Sequence, residues 1–245
     1  MPVTLDPDAA AVYKAFQEAG RPAYETLTAP EAREYYLNAR FVSNPEPPQL
    51  EAVDTLSIPA AHGAIPARIY TPKTLRKTNG LAPCLVFFHG GGWVIGNLAA
   101  VVALAARDGG GPKLAGQVLI YPATDFAMKH PSHSEPETSI LLTHSVIKWF
   151  CNHYLNGAAD IDHWKASPAR AQTLAGLPPA YVLTAGADPL RDEGAEYAAR
   201  LKEAGVPMTY RHFPGQFHGF FTMGKLLQQA NVAVSEIADW LRALK

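Results

Sequence analysis

The sequence predicts an α/β fold, with a mostly parallel sheet of about six strands and helices on both faces. Three observations lead there. After residue 83, short β-prone runs alternate with longer helical stretches. Gln117-Val-Leu-Ile-Tyr121 and Ala180-Tyr-Val-Leu-Thr184 read as buried strands. The 245 residues, 48% of them hydrophobic, suffice for one large domain with a sizeable core, read here as residues 1–245.

The elements follow in order. Asp6-Pro7 is an N-cap followed by proline at the first helical position. The helix it opens runs to about Ala19, with Ala9, Val12, Tyr13 and Phe16 as its apolar face. Thr28 and Glu31 have the spacing of a capping box, which starts a second helix reaching about Asn38. Pro45-Glu-Pro-Pro48 breaks the chain. Ala52–Ile58 and Ile65–Tyr70 form an antiparallel pair about the His62-Gly63 turn. A third strand begins at Val86. Asn97 is expected to cap the Ala-rich helix Leu98–Arg107, and Asp108-Gly-Gly-Gly-Pro112 ends it. Thr143 caps a helix through Trp149, Phe150 and Tyr154. Arg191–Ala204 is amphipathic and closed by Gly205. Met208–His212 is the last strand, and a helix from about Asn231 to Leu244 follows.

Composition excludes several functions. Lys and Arg number 21 against 22 Asp and Glu, a net charge of −1 with no basic run. Nucleic acid and anionic membranes are therefore not expected partners. No run of 18 apolar residues predicts a transmembrane helix. The start, Met1-Pro-Val-Thr-Leu-Asp6, lacks the pattern of a signal peptide, so a cytoplasmic location is expected. Cys84 and Cys151 are expected to be buried thiols. His130-Pro-Ser-His133 lies in a polar loop with no Cys or carboxylate spaced to complete a zinc site. No metal and no cofactor is expected.

The most informative stretch is Val86-Phe-Phe-His89-Gly90-Gly91-Gly92-Trp93. A β-prone run that breaks into His and three glycines brings bare backbone N–H groups close to whatever lies above it. Two successive amides of this kind, on Gly90 and Gly91, suit the stabilisation of a developing alkoxide. His89, Gly92 and Trp93 complete the motif. It resembles the oxyanion loop of the hormone-sensitive-lipase-like esterases, a branch of the α/β-hydrolase fold.

That resemblance carries further expectations. Asp188, in Asp-Pro-Leu-Arg-Asp-Glu, and His218, in Phe-His-Gly-Phe, match the acid and base of the family's triad. His218 would move the proton and Asp188 would fix its tautomer. Asp192 and Glu193 are assigned to favouring the N-terminus of their helix. By analogy the segments at about 1–45 and 126–165 belong to a helical cap, with Tyr36 and Phe41 as candidate pocket residues. The implied substrate is a small ester. Relatives of this kind pair through the last strand, which implies a homodimer.

The resemblance fails at one place. The family's nucleophile is the Ser of G-x-S-x-G, and no such motif, nor a Cys version, occurs in the 245 residues. Gly96-Asn97-Leu98 passes directly into the helix that in the family follows the nucleophile. The missing stretch amounts to roughly 60 residues at ~30 per βαβ unit. Ser132, Ser134, Ser139, Ser145 and Ser167 lie off any strand-to-helix elbow, so no nucleophile is assigned. Low or no esterase activity is expected. The alternatives are a pseudoenzyme that binds a small apolar acid or ester, and a non-functional deletion product. With the flanking strands gone, the sheet is expected to close by a ladder between Leu85–Phe88 and Val118–Tyr121.

Overall fold

The computed structural model describes residues 3–39, 42–74, 82–88 and 95–244. The chain divides into two compact units: Met1–Pro45 with Phe88–Lys245, and Glu46–Phe87.

The smaller unit is a hairpin. β1 (Ala52–Ile58) pairs antiparallel with β2 (Ile65–Thr71), with Ile58 opposite Ile65 across the turn. The strand expected from Val86 does not form. Residues 82–88 carry no regular structure, and Leu85, Val86 and Phe87 are 68%, 69% and 64% exposed. The described residues therefore hold five strands, and the ladder expected between Leu85–Phe88 and Val118–Tyr121 is absent. The reason is physical. A β-prone run is not a strand until a neighbour takes its N–H and C=O groups, and no described element does so. Cys84 is exposed rather than buried.

The larger unit is a three-layer α/β structure. Its helices are α1 (Pro7–Glu18), α2 (Ala29–Ala39), α3 (Ile95–Asp108), α4 (His144–Tyr154), α5 (Arg191–Glu203) and α6 (Gln228–Ala243). Its sheet is parallel, in the order β3 (Gln117–Ile120), β4 (Ala180–Ala187), β5 (Met208–Phe217). β4 is buried along its whole length, and its side chains alternate between two cores. Ala180 and Val182 pack with Leu104 of α3 and with Tyr197 and Leu201 of α5. Tyr181, Leu183 and Ala185 pack with Val12 of α1 and Ala233 and Ile237 of α6. Period-two alternation in a strand thus assigns one helix pair to each face.

The helix ends show the local chemistry. Glu31 Oε2 accepts from the Thr28 amide at 2.8 Å and the Thr28 hydroxyl at 2.6 Å, the glutamate half of the expected box. Thr143 Oγ1 accepts from the Val146 amide at 3.2 Å. Asp6 stands at the N-cap of α1, but its carboxylate accepts from Gln216 Nε2 at 2.8 Å and not from the helix. Asp8 Oδ2 takes the Gln228 amide at 3.0 Å, so α1 helps to cap α6. Asn97 is not a cap. It lies inside α3, fully buried, and its amide donates to the carbonyls of Ala123, at 3.1 Å, and Ala166.

Candidate functional site

Neighbouring parallel strands deliver their next residues side by side. Ala187 at the end of β4 is opposite Phe217 at the end of β5, so Asp188 and His218 emerge together. A register shift separates Ala185 and Ala187, and a Cβ on Gly186 there would run into the Pro214 carbonyl. Only glycine permits that approach. After His218 the chain turns sharply through Gly219, at φ 92°.

His218 Nδ1 donates to Asp188 Oδ2 at 2.8 Å. A carboxylate only accepts, so the proton of a neutral imidazole sits on Nδ1 and the Nε2 lone pair is free. Asp188 is fully buried, while the His218 side chain is 25% exposed. The second oxygen of Asp188 accepts the Leu190 amide at 2.8 Å, just before α5. One carboxylate thus holds both the imidazole and the start of the helix. Chemically, this is a proton acceptor at a surface opening, held in one tautomer by a buried anion.

Tyr121 backs the pair. Its ring centroid lies 4.4 Å from that of His218, and its backbone has φ 34°, rare for a residue with a side chain. Burial pushes its phenol far up, and the nearby charge of Asp188 adds to this. Tyr36 also bears on Tyr121 electrostatically and is 44% exposed. An apolar groove of about 440 Å³ runs along α1, lined by Val12, Ala15, Phe16 and Leu226; Tyr36 is not part of it. Phe41, His89, Gly90, Gly91, Gly92 and Trp93 lie outside the described residues.

Glu193, expected only to favour the N-terminus of its helix, is instead the centre of a second, buried polar cluster. His133 Nε2 lies 2.6 Å from Glu193 Oε2, and both side chains are buried. Glu193 Oε1 also takes the amides of Thr124, at 2.5 Å, and Asp125, at 3.3 Å. Beside it, Asp192 accepts the Ser132 amide at 3.0 Å, and Ser132 Oγ donates to the Pro189 carbonyl at 2.7 Å. Glu193 therefore anchors the loops after β3 to the first turn of α5, five residues from Asp188. Its signal in sequence was a second acid after Asp188, five residues on, but its partner lies 60 positions away. His130 and His133 join no metal cluster, and no such cluster occurs among the described residues.

The side chains of Ser132, Ser167 and Ser145 are engaged away from His218. Ser132 is committed to Pro189, Ser167 Oγ accepts the Phe126 amide, and Ser145 donates to Glu25. Burial raises the Cys151 thiol to about 11, which keeps it protonated. No helix among the described residues is long and apolar enough to cross a membrane.

Comparison with known proteins addresses the family and the fold. A family model described as the alpha/beta hydrolase fold matches residues 96–222. The carboxylic ester hydrolase LipN of Mycobacterium tuberculosis is 31% identical over 274 aligned residues, taking in 80% of this chain and 72% of LipN. The carboxylesterase NlhH of the same organism is 39% identical over 154 residues, 61% of this chain and 48% of NlhH. Among solved structures, the ester-hydrolase EH1AB1 from the metagenome of Lake Arreo superposes with a TM-score of 0.87 at 28% identity, covering 96% of this chain and 98% of that one. The hyperthermophilic esterase of the archaeon Pyrobaculum calidifontis gives 0.84 at 26% identity, covering 96% and 97%. The chain belongs to the hormone-sensitive-lipase-like esterases of the α/β-hydrolase fold.

Proposed function

We propose that this chain keeps the acid–base half of an ester-hydrolysing site and has low or no ester turnover. The observation that carries the reading is the 2.8 Å bond from His218 to buried Asp188 in a chain that holds no G-x-S-x-G. His218 is the base, Asp188 its orienter, and Gly90 and Gly91 are the oxyanion donors within His89–Trp93. Tyr36 and Phe41 belong to the acyl pocket, under a cap formed by about residues 1–45 and 126–165 of a single hydrolase domain. The ligand is a small ester or apolar acid. No metal or cofactor takes part, and the nucleophile is absent. The alignment to LipN supports the loss: at 274 positions it is longer than this 245-residue chain. The family match also begins at Gly96, three residues after Trp93. A cytoplasmic homodimer paired through β5, an edge strand, completes the reading.

The test uses p-nitrophenyl acyl esters and an organophosphonate that traps activated serine. Removing one triad member can leave ~10³–10⁴-fold acceleration over water, but here the elbow is missing too. Misplacement by ~1 Å costs a further ~100-fold, so neither turnover nor labelling is expected. Stoichiometric phosphonylation of any serine, lost in His218→Ala, would overturn the reading. Light scattering that gave 26.4 kDa at high concentration would remove the dimer.

A further inference from the structure

Two histidines of this chain share one local arrangement and differ in one group. His218 Nδ1 donates to Asp188 Oδ2 at 2.8 Å, and the Tyr121 ring centroid lies 4.4 Å from its own. His153 Nδ1 donates to the Trp149 carbonyl at 2.8 Å, and the Trp149 ring centroid lies 4.3 Å away. In both, the neutral imidazole carries its proton on Nδ1 and a lone pair on Nε2. Among the described residues nothing takes either lone pair. The acceptor is a neutral carbonyl for His153 and a fully buried carboxylate for His218.

That difference decides what Nε2 can do. An imidazole that attacks a carbonyl carbon through Nε2 becomes a cation. The Trp149 carbonyl offers this cation only a dipole. Asp188 offers a full negative charge away from water, where it stabilises a cation most. Other histidines lack the arrangement. His133 commits Nε2 to Glu193 inside the core, and His163 Nδ1 accepts the Lys165 amide, which puts its proton on Nε2. Rival nucleophiles are spent as well. Ser132, Ser145 and Ser167 are engaged elsewhere, and burial keeps the Cys151 thiol protonated.

We propose that His218 is itself a nucleophile, whose Nε2 accepts the acyl group of activated donors such as acyl phosphates and anhydrides. This rests on the reading that the chain has no nucleophilic serine. The Nε2 lone pair forms a bond to the acyl carbon. The bond from that carbon to the leaving oxygen breaks, and its electron pair departs with the phosphate or carboxylate. The ring keeps its Nδ1 proton, so the acyl-imidazolium lies against Asp188. Water then attacks the acyl carbon and the Nε2–C electron pair returns to the ring. A carboxylate and two protons are released. Alkyl esters are not donors, because an alkoxide leaves far less readily than imidazole and the adduct reverses. This agrees with low or no ester turnover.

The whole chain, in alkaline buffer, is treated with diethyl pyrocarbonate, a small anhydride. Peptide mass spectrometry follows carbethoxylation at His218 and His153. His218 should react about 10-fold faster, the smaller effect expected of a carboxylate behind an imidazole, although His153 is the more exposed residue. In Asp188→Asn the His218 rate should fall to that of His153 or below. The His153 rate should stay unchanged there, which reports that the fold is intact. With acetyl phosphate as donor, hydrolysis above the rate of buffer alone should be lost in His218→Ala. Equal rates at the two histidines would overturn the proposal. So would a His218 rate unchanged in Asp188→Asn, or acetyl phosphate hydrolysis that survives His218→Ala. None of these results touches the functional reading, which a serine phosphonylated by the organophosphonate would overturn, so the two failures are distinct.

Discussion

The ring of Tyr121 packs 4.4 Å from that of His218, from a backbone held at φ 34°. That conformation costs a residue with a Cβ ~1–2 kcal/mol, and the fold retains it next to the acid–base pair. The ring and the backbone can be separated by two substitutions. Tyr121→Ala and Tyr121→Gly both lose a buried aromatic ring, at ~3–5 kcal/mol. In ordinary strand or helix positions the glycine variant is the weaker by ~0.5–1 kcal/mol. Here the order should invert, with Tyr121→Gly the more stable by about 1 kcal/mol in urea unfolding. The usual order would mean that the backbone is not held in the left-handed region.

Glu193 should matter more to stability than any exposed charge. It is fully buried, and truncating it leaves the buried His133 ring and the Thr124 amide without their partner, at ~1–3 kcal/mol for each group. Glu193→Ala should lose that much. Glu193→Gln keeps an acceptor for the Thr124 amide and should lose less. Burial raises the Glu193 carboxyl, against the opposing pull of His133 and the two amides. The sign follows by linkage. A carboxyl with a raised folded pKa contributes stability that is full below its unfolded value, 4.5, and is lost as pH rises through the folded value. Between pH 4 and neutrality the wild-type chain should therefore lose ground to Glu193→Gln in thermal melts. A constant gap between them would contradict this assignment.

These residues also mark what the sequence reveals. The capping box at Thr28–Glu31 and the cap at Thr143 are legible because both partners lie within three positions. Asp188 and His218 are legible because motif context places each just past a strand, and parallel pairing then does the rest. Asn97 misled because an Asn ahead of an Ala-rich run resembles a cap; its partners, Ala123 and Ala166, lie 26 and 69 residues away. The pairing of Glu193 with His133 is invisible for the same reason. Leu85–Phe87 misled because β propensity is realised only through a neighbouring strand, and sequence alone does not show whether that neighbour is present.

Asp188 offers the sharpest test of the site. Its Oδ1 is engaged by the Leu190 amide at 2.8 Å, and its Oδ2 faces His218 Nδ1 at 2.8 Å. In Asp188→Asn the Leu190 N–H still requires an oxygen, so the side-chain carbonyl is pinned there and the NH₂ turns toward His218. A donor now faces Nδ1, which must become an acceptor. The proton moves to Nε2, and the lone pair that could take a proton from a nucleophile or water disappears. Long-range ¹H–¹⁵N spectra in alkaline buffer, with His218→Ala identifying the signals, report the tautomer directly. The wild-type chain should show Nδ1–H, and Asp188→Asn should show Nε2–H. Asp188→Ala, with no partner for Nδ1, should drift toward the mixture of free imidazole. Nδ1–H persisting in Asp188→Asn would mean that another acceptor orients His218 and that Asp188 is only a helix cap.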